Sequence, residues 1–429
     1  MMFLILIPIC IAVFVLVALW RLDFGVVMII ALLPTYLVRF HIGSVPITLL
    51  EALVIALFII FFFQYKIYRF SFLKDAVDKI PFKIALGLFL AAATISVFVS
   101  PDIRAALGAW KAYFIETLAF YLVFVNVIDT RSKIKSVVYG LGVVAVVVSA
   151  YAIFQKFTGY GISEPWNSAE LRRVTAFYGY PVAVALFLTP VAGFFIGNLL
   201  FFKESIFRIN WVFSLLVLAP SVLALCFTYS RGAIIALLVA FLMIGLFSNY
   251  RRWVIVIIIG MVIILFVLPA TSHRFISVFN GEDNSTNVRL VMWFGTIKLL
   301  RSNFILGAGL AGFPAVYDQF REARHTELLL YPHNIILNFW VEIGILGLMS
   351  FIWLLYSFFK KASRAISENG NRAVIYGTVY AMAVLVLHGL IDVPYFKNDL
   401  AILFWVIVGI MIMSYEEQGR RNRNERAVA

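Results

Sequence analysis

The sequence predicts an all-α polytopic integral membrane protein of about 12 transmembrane helices, because its apolar segments give 12 or 13 candidate spans. The chain has 429 residues, of which 63% are hydrophobic and only 13% are charged, and its mean hydropathy is +0.99. A single water-soluble core cannot bury so large an apolar fraction. The apolar residues also recur in blocks of about 17–25, the length that crosses ~30 Å of hydrocarbon. We therefore expect a single membrane domain over residues 1–429.

The apolar blocks, taken in chain order between polar breaks, define the predicted spans. The first two are short and are joined by Arg21-Leu22-Asp23, so they are either two spans or a re-entrant pair. The first block has no basic segment before it and no small-residue cleavage site after it, which favours a retained span over a removable signal peptide. The spans lie at 3–20, 24–38, 45–63, 84–100, 112–128, 136–157, 177–202, 211–229, 232–248, 253–269, 334–358, 373–391 and 400–414.

The distribution of Lys and Arg predicts the orientation of these spans. With 35 Lys+Arg against 22 Asp+Glu the net charge is +13, and most cations fall in short clusters between apolar blocks. This pattern favours anionic lipid headgroups as partners and argues against nucleic acid. All the clusters fall on one side when the spans alternate, so we assign that side, with the basic tail 415–429, to the cytoplasm. The clusters are Lys66, Arg69, Lys74, Lys79 and Lys83; Arg131, Lys133 and Lys135; Lys203 and Arg208; Arg251 and Arg252; Lys360, Lys361, Arg364 and Arg372; and Arg420, Arg421, Arg423 and Arg426.

On the opposite side, the longest connection is a large loop over residues 270–333. Long loops in compact proteins commonly carry function. Within it, Thr286–Arg301 has apolar residues at helical spacing with cations between them, so we expect an amphipathic helix that lies in the membrane interface. A second amphipathic piece, Pro314–Arg324, follows a glycine-rich turn.

Several chemical classes are not supported by the motifs. Residues 307–312 match the G-x-G-x-x-G dinucleotide pattern, but they lie in an outward loop of a helical chain and lack the strand–turn–helix context, so we interpret them as a tight turn. No Walker A motif is present. The two cysteines, Cys10 and Cys226, lie in apolar blocks, and the outward loops contain no acidic pair at metal-ligand spacing. We therefore predict no metal and no cofactor.

Three arginines lie on the side opposite the basic clusters, so the bias that places Lys and Arg in the cytoplasm does not account for them: Arg173, Arg231 and Arg289. Ionisable residues near membrane depth are expensive and often functional. Arg231 is either a snorkelling residue at a span end or a residue held at the mouth of the bundle, because the 229–232 connection is very short. Arg289 either faces headgroups or belongs to a site.

His333 and Asp392 are the candidates for proton transfer. His333 lies where the long loop enters the next span, and it either caps that helix or acts as a general base, since an imidazole titrates near neutral pH. Asp392 either marks the end of a helix before Pro394 or orients a histidine or binds a sugar hydroxyl.

These residues together resemble the O-antigen ligase family. His333-Asn334, then nine residues, then Gly344-Ile345-Leu346-Gly347, matches that family's H-[N/S/Q]-x9-G-x-x-G signature. The run 229–233 resembles its S-R-G region, and Arg289 followed by Gly307-Ala308-Gly309 resembles its loop. The similarity runs from about Arg173 to the C-terminus.

The resemblance implies an architecture similar to the all-helical GT-C glycosyltransferases and a location in the bacterial inner membrane. Such enzymes move a glycan from undecaprenyl diphosphate to an acceptor, here lipid A–core oligosaccharide, at the periplasmic face, without metal or nucleotide sugar. Carried over by residue, Arg231 and Arg289 hold the diphosphate and His333 activates the acceptor hydroxyl. Asp392, Arg173 and Asn334 support the site.

Two alternatives remain open at this stage. Leu348 stands where the ligase pattern often has Thr, so a polymerase of the same superfamily, joining carrier-linked repeat units, is the close alternative. A secondary transporter would also use arginines, but it predicts broken helices near the bilayer midplane and repeat symmetry.

Overall fold

The computed structural model describes residues 2–43, 45–168, 172–205, 207–267, 284–322, 330–368 and 372–428, and the fold in these ranges is mostly helical. Helices follow the apolar blocks because every backbone N–H and C=O in such a block finds its partner within the same segment. The helices are α1 Met2–Trp20, α2 Leu22–Ala31, α3 Leu49–Gln64, α4 Phe70–Asp78, α5 Lys83–Val99, α6 Ile103–Trp110, α7 Glu116–Val127, α8 Arg131–Thr158, α9 Pro181–Leu200, α10 Trp211–Thr228, α11 Arg231–Gly245, α12 Arg251–Val267, α13 Asn284–Ser302, α14 Phe313–Tyr317, α15 Ile335–Ser367, α16 Arg372–Gly389 and α17 Asn398–Val428.

Among the described residues, seven helices are long and apolar enough to cross a membrane, or eight if the bent pair α4 and α5 forms one span. One of the seven, Ile103–Val127, joins α6 and α7 through a π-helical segment, Lys111–Ile115. Four shorter apolar helices lie at Leu6–Trp20, Leu22–Ala31, Leu49–Gln64 and Arg231–Gly245. The prediction of a polytopic helical membrane protein is confirmed, and the count of 12 spans stays a prediction.

The structure departs from the all-helical prediction at residues 39–48. Here two strands, β1 Arg39–Ile42 and β2 Val45–Thr48, pair antiparallel. Consequently the predicted span 45–63 begins as a strand, and its helix starts only at Leu49, where Thr48 and Glu51 form a capping box. The physical reason is the local sequence: β-branched residues flank a turn in which Gly43 has φ +61°.

Two helices differ in length from the predicted spans. α15 extends to Ser367 and contains a break, with Ile343 at φ −131° and Gly344 at φ +70°. α17 continues as helix through residue 428, so the predicted basic tail extends the last span without a turn. There Gln418 donates to the carbonyl of Glu368, which joins the end of α17 to the end of α15.

The centre of the bundle is formed by α9 packed on α16. A Cβ on Gly197 would lie 2.7 Å from the carbonyl oxygen of Tyr376, and one on Gly377 would lie 2.8 Å from that of Phe194. Small residues allow such close backbone approach, which is how helices associate inside a membrane. This pair fixes the end of α16, after which the connection 390–397 carries Asp392.

Candidate active site

His333 lies directly before α15, and its neighbour Asn334 holds it there. The Asn334 side chain accepts hydrogen bonds from the backbone N–H groups of Ile336 and Leu337, both at 3.0 Å, and so caps the helix. Its amide also donates to the carbonyl of Leu390 at 2.8 Å. Asn334 thus ties the start of α15 to the connection that carries Asp392. His333 itself has φ +46°, a left-handed conformation that few side chains other than Asn, Asp and His adopt readily.

His333 and Asp392 face each other across these two segments. Nδ1 of His333 lies 3.4 Å from Oδ1 of Asp392, which is ion-pair distance but longer than an ordinary hydrogen bond. The His333 side chain is 22% exposed, whereas that of Asp392 is 3% exposed. Asp392 therefore faces the ring from the protein side, and Nε2 is the ring nitrogen that does not face it.

The charge of Asp392 follows from its neighbours. Burial alone would raise the pKa of this carboxyl, but the imidazoles of His333 and His388 and a hydrogen bond from the N–H of Val393 lower it more. The pKa of Asp392 is therefore below its usual range, and the group is a carboxylate at neutral pH. His388, which the sequence analysis did not assign to the site, is 2% exposed and lies close enough to contribute.

Arg289 reaches this place from α13. Trp293, one turn further along the same face, donates from Nε1 to the carbonyl of Pro332 at 2.8 Å and so fastens α13 to the His333 segment. The ring of Tyr331 lies 4.5 Å from that of His333. Burial raises the pKa of the Tyr331 hydroxyl; the Asp392 carboxylate raises it further, and the Arg289 guanidinium opposes the shift. Tyr331 therefore neighbours both charged groups.

The guanidinium of Arg289 is incompletely paired. Its Nε is inaccessible to solvent and makes no hydrogen bond to any residue within the described ranges. A buried donor without a partner costs free energy, and an anionic oxygen would satisfy it. This is the arrangement expected of a cation kept for a charged ligand.

Arg231 begins α11 after a very tight turn. α10 ends at Thr228, Tyr229 takes φ +53°, and α11 starts two residues later. At Gly232 an added Cβ would come within 2.0 Å of Cδ1 of Ile391, so the start of α11 lies in close contact with the connection that carries Asp392. Half-buried Arg231 thereby joins the same end of the bundle as His333.

Arg173 closes the end of α10. Its Nε donates to the carbonyl of Thr228 at 3.0 Å, and its guanidinium lies 4.9 Å from the centre of the Trp166 ring. These contacts place Arg173 beside the turn that leads to Arg231. Lys156, which the sequence analysis missed because it lies inside the predicted span 136–157, has its ammonium 3.4 Å from the hydroxyl of Tyr229 in that turn.

The glycine-rich turn at residues 307–312 and the break in α15 at residues 343–344 are joined by backbone hydrogen bonds. The N–H of Ala308 donates to the carbonyl of Val341 at 2.7 Å, and the N–H of Ile345 donates to the carbonyl of Ile305 at 3.0 Å. At Gly344 an added Cβ would lie 2.4 Å from that Ile305 oxygen, and the residue has φ +70°. The first glycine of the G-x-x-G pattern therefore opens the helix so that the turn can enter it.

Glu342 completes this junction. Its Oε2 accepts from the N–H of Ala311 at 2.7 Å, and its backbone carbonyl accepts from the hydroxyl of Ser96. Because the loop N–H groups are used within the protein, residues 307–312 form a turn, as the sequence analysis expects. The junction fixes α13, and hence Arg289, relative to α15, and hence His333.

The structure thus brings His333, Asn334 and Asp392 together, and it brings Arg289 and Arg231 to the same end. Arg173 belongs to the adjoining turn. The predicted helix Thr286–Arg301 is a helix, α13, whereas of the piece Pro314–Arg324 only a short helix and a 3₁₀ turn, Asp318–Phe320, are formed before residue 323. Residues 270–283 and 323–329 of the predicted loop lie outside the described residues. Within the ranges described, no three His, Cys, Asp or Glu side chains are grouped as metal ligands.

Comparison with known proteins finds sequence similarity over the part of the chain that carries this site. The sequence profile described as O-antigen ligase matches residues 215–352. A protein of Rickettsia conorii named "Putative polysaccharide ligase" is 30% identical over 133 residues, which cover 29% of this chain. The match spans 30% of the length of that relative. The matched segment contains Arg231, Arg289 and His333, so the chain is similar to the O-antigen ligase family over the part that forms the candidate active site.

Proposed function

We propose that this protein is an O-antigen ligase that transfers a glycan from undecaprenyl diphosphate to lipid A–core oligosaccharide. The observation that carries the proposal is the meeting of a carboxylate-oriented imidazole with an incompletely paired guanidinium, His333–Asp392 and Arg289, at one end of a membrane bundle. A base and a cation are the two groups that displacement of a diphosphate by a hydroxyl requires.

In the proposed reaction, Nε2 of His333 accepts the proton of the acceptor hydroxyl as its oxygen attacks the anomeric carbon. The bond between that carbon and the diphosphate oxygen breaks, and its electron pair leaves with undecaprenyl diphosphate. In-line attack inverts the anomeric centre. Asp392 stabilises the imidazolium that forms, and Asn334 keeps the histidine in position.

Arg289 and Arg231 hold the diphosphate and balance its growing charge. A guanidinium presents a planar fork to phosphate oxygens and stays protonated even in a partly dry site. Two such groups make the diphosphate a good leaving group without a metal ion. Arg173 supports Arg231 through the turn that both adjoin.

The proposal extends to the membrane. We propose about 12 spans, a GT-C-like architecture, the inner membrane as location, a periplasmic active site with the loop 270–333 over it, and a cytoplasmic tail 415–429. The exposed apolar side chains of Leu290, Phe294 and Ile297 on α13 support contact of this helix with lipid. A carrier with its diphosphate at the membrane surface would then meet Arg289 from the bilayer.

A polymerase of the same superfamily is the second candidate, because Leu348 stands where the ligase pattern often has Thr. A deletion strain separates the two: loss of a ligase leaves long carrier-linked glycan, whereas loss of a polymerase leaves single repeat units. Transfer by the purified protein from a lipid-linked glycan to lipid A–core then tests the chemistry itself. Uptake of a sugar or anion without transfer would instead identify a transporter and contradict the proposal.

A further inference from the structure

A second polar group lies around the end of the connection that carries Asp392, and it has no part in the mechanism above. We name it the tyrosine–lysine cluster and define it as Tyr36, Tyr178, Tyr180, Lys397 and Asp399. Lys397 ends the same connection, 390–397, that carries Asp392. Its ammonium donates to the hydroxyl of Tyr180 and lies 4.2 Å from the centre of that ring. Both side chains are half-buried, so part of each remains accessible.

Asp399 lies behind this pair. It is completely buried, and neither of its carboxylate oxygens has a hydrogen bond of ordinary geometry to a described residue. Its charge acts on Lys397, Tyr178 and Tyr36. A buried polar group without full pairing costs free energy, and a polar ligand nearby would offset that cost. Burial lowers the pKa of Lys397 to about 8, and the charge of Asp399 opposes that shift.

The connection 390–397 joins the cluster to the proposed base. It carries Asp392, which faces His333 at 3.4 Å, and it ends at Lys397. Within the cluster, the ring of Tyr36 lies 6.3 Å from that of Tyr178. The hydroxyl of Tyr36 also contributes to the raised pKa of Tyr331, whose ring lies 4.5 Å from that of His333. The cluster and the proposed base therefore belong to the same end of the bundle.

The chemistry of the cluster fits a sugar. Phenol hydroxyls, an ammonium and a carboxylate supply the mixed donors and acceptors that hydroxyl groups require, and tyrosine rings offer flat apolar surfaces with a polar edge. In-line displacement needs the attacking hydroxyl on the side of the anomeric carbon away from the diphosphate. Since Arg289 holds the diphosphate in the proposed mechanism, the acceptor needs a separate set of polar groups near His333, and the cluster at the end of the connection 390–397 supplies one.

We propose that the tyrosine–lysine cluster is the subsite for the acceptor sugar, contacted by Lys397 and Tyr180 and kept in place by Asp399, Tyr178 and Tyr36. This inference rests on the proposed glycan transfer and assigns the part of it that selects the acceptor. Lys397 and Tyr180 lie outside the matched segment 215–352, so the subsite uses residues from other parts of the chain.

The test is initial-rate kinetics of the purified full chain, with undecaprenyl diphosphate-linked glycan as donor and lipid A–core oligosaccharide as varied acceptor. We expect Lys397→Met and Tyr180→Phe to raise the acceptor KM about tenfold or more and to leave the donor KM within about twofold, since a charged hydrogen bond is lost from one substrate only. Tyr180→Phe removes one hydroxyl and guards against misfolding of the lysine variant.

Lys361→Met is the matched control. Its ammonium also lies beside a tyrosine ring, 5.0 Å from Tyr415, and beside a carboxylate, 3.1 Å from Glu416, but at the opposite end of the bundle. We expect both KM values to be unchanged. An increase in the donor KM in the Lys397 and Tyr180 variants, a fall in kcat alone, or unchanged kinetics would each overturn the acceptor assignment.

The two proposals fail in different ways. If the wild-type protein transfers no glycan to lipid A–core, the proposed function fails, and the subsite is then judged by direct binding of the lipid A–core oligosaccharide to the wild type and to Lys397→Met. Loss of binding in the variant supports the subsite, and equal binding overturns it. If the wild type transfers glycan and the variants keep its acceptor KM, only the subsite is wrong.

Discussion

The two ends of the bundle differ in how their Lys and Arg side chains are paired. At the tail end, which contains residues 129–133, 361 and 416–421, cations are paired with carboxylates. Arg131 lies 2.9 Å from Glu417, and Lys361 lies 3.1 Å from Glu416. These pairs join α8 and α15 to the long last helix α17. They are the cations that the sequence assigns to the cytoplasmic side.

At the site end, which contains residues 228–231, 332–334 and 388–397, the pairing is different. Arg173 bonds to a backbone carbonyl, Arg289 has a buried Nε without a partner among the described residues, and Asp392 faces a histidine instead of an arginine. Lys111, which pairs with Glu51, shows that carboxylates are available at this side of the chain. The two ends therefore differ in the pairing of their cations more than in residue type, and the proposed ligand-binding role of Arg289 depends on that difference.

The largest effect that tests this contrast is expected at His333. His333→Ala removes the proposed base, and we expect the transfer rate to fall by about 10²–10⁴-fold. Single-turnover transfer from lipid-linked glycan measures it. His41→Ala, on the exposed strand β1, is the control and should transfer at the wild-type rate. A folded His333→Ala protein with unchanged transfer would show that the site end lacks the assigned base.

Arg289→Ala comes next. Loss of a cation that stabilises the leaving diphosphate should lower kcat by about 10²–10³-fold, as removal of a preorganised donor does elsewhere. Arg289→Lys should recover only part of the loss, because an ammonium lacks the planar fork. Equal activity of the lysine variant and the wild type would contradict a bidentate role.

Asp392→Asn should lower the transfer rate by roughly 10- to 100-fold, the usual cost of losing a group that orients another. It should also change the response to acid. The pKa of the Asp392 carboxyl is lower in the folded protein than in the unfolded chain. The carboxylate therefore stabilises the fold at pH values above the unfolded pKa, and this stabilisation is lost as the pH falls through the folded pKa. Between about pH 5 and pH 3 the wild type should therefore lose more thermal stability than the variant. Identical melting curves would show that this carboxylate is not stabilised by its neighbours.

The smallest effect is expected at the tail end. Arg131→Ala removes an ion pair in which Arg131 is 29% and Glu417 16% exposed, and we expect it to lower the unfolding free energy by up to about 1 kcal/mol. Glycan transfer should stay within about twofold of the wild type. A loss of activity comparable to that of Arg289→Ala would remove the distinction between the two ends.

Much of the fold follows from the sequence alone. Apolar blocks of spanning length form helices because the backbone can satisfy its hydrogen bonds locally, and caps such as Thr48, Asn210 and Asn334 mark where helices begin. The candidate residues Arg231, Arg289 and His333 are also visible in the sequence, since charged groups at the ends of apolar segments are few. These are local properties that a residue and its near neighbours determine.

Tertiary structure decided what depends on distant contacts. The facing of His333 and Asp392 requires Asn334 to bond the carbonyl of Leu390, and the break at Gly344 exists because a turn forty residues upstream enters the helix. The burial of Asp399 behind Lys397 likewise follows from how α17 packs. The periodicity of apolar residues along the chain does not predict these contacts, because hydrogen bonds and ion pairs between separate helices depend on how the helices pack. The sequence by itself therefore determined which segments are helical and which side chains can do chemistry, and packing decided which of them meet.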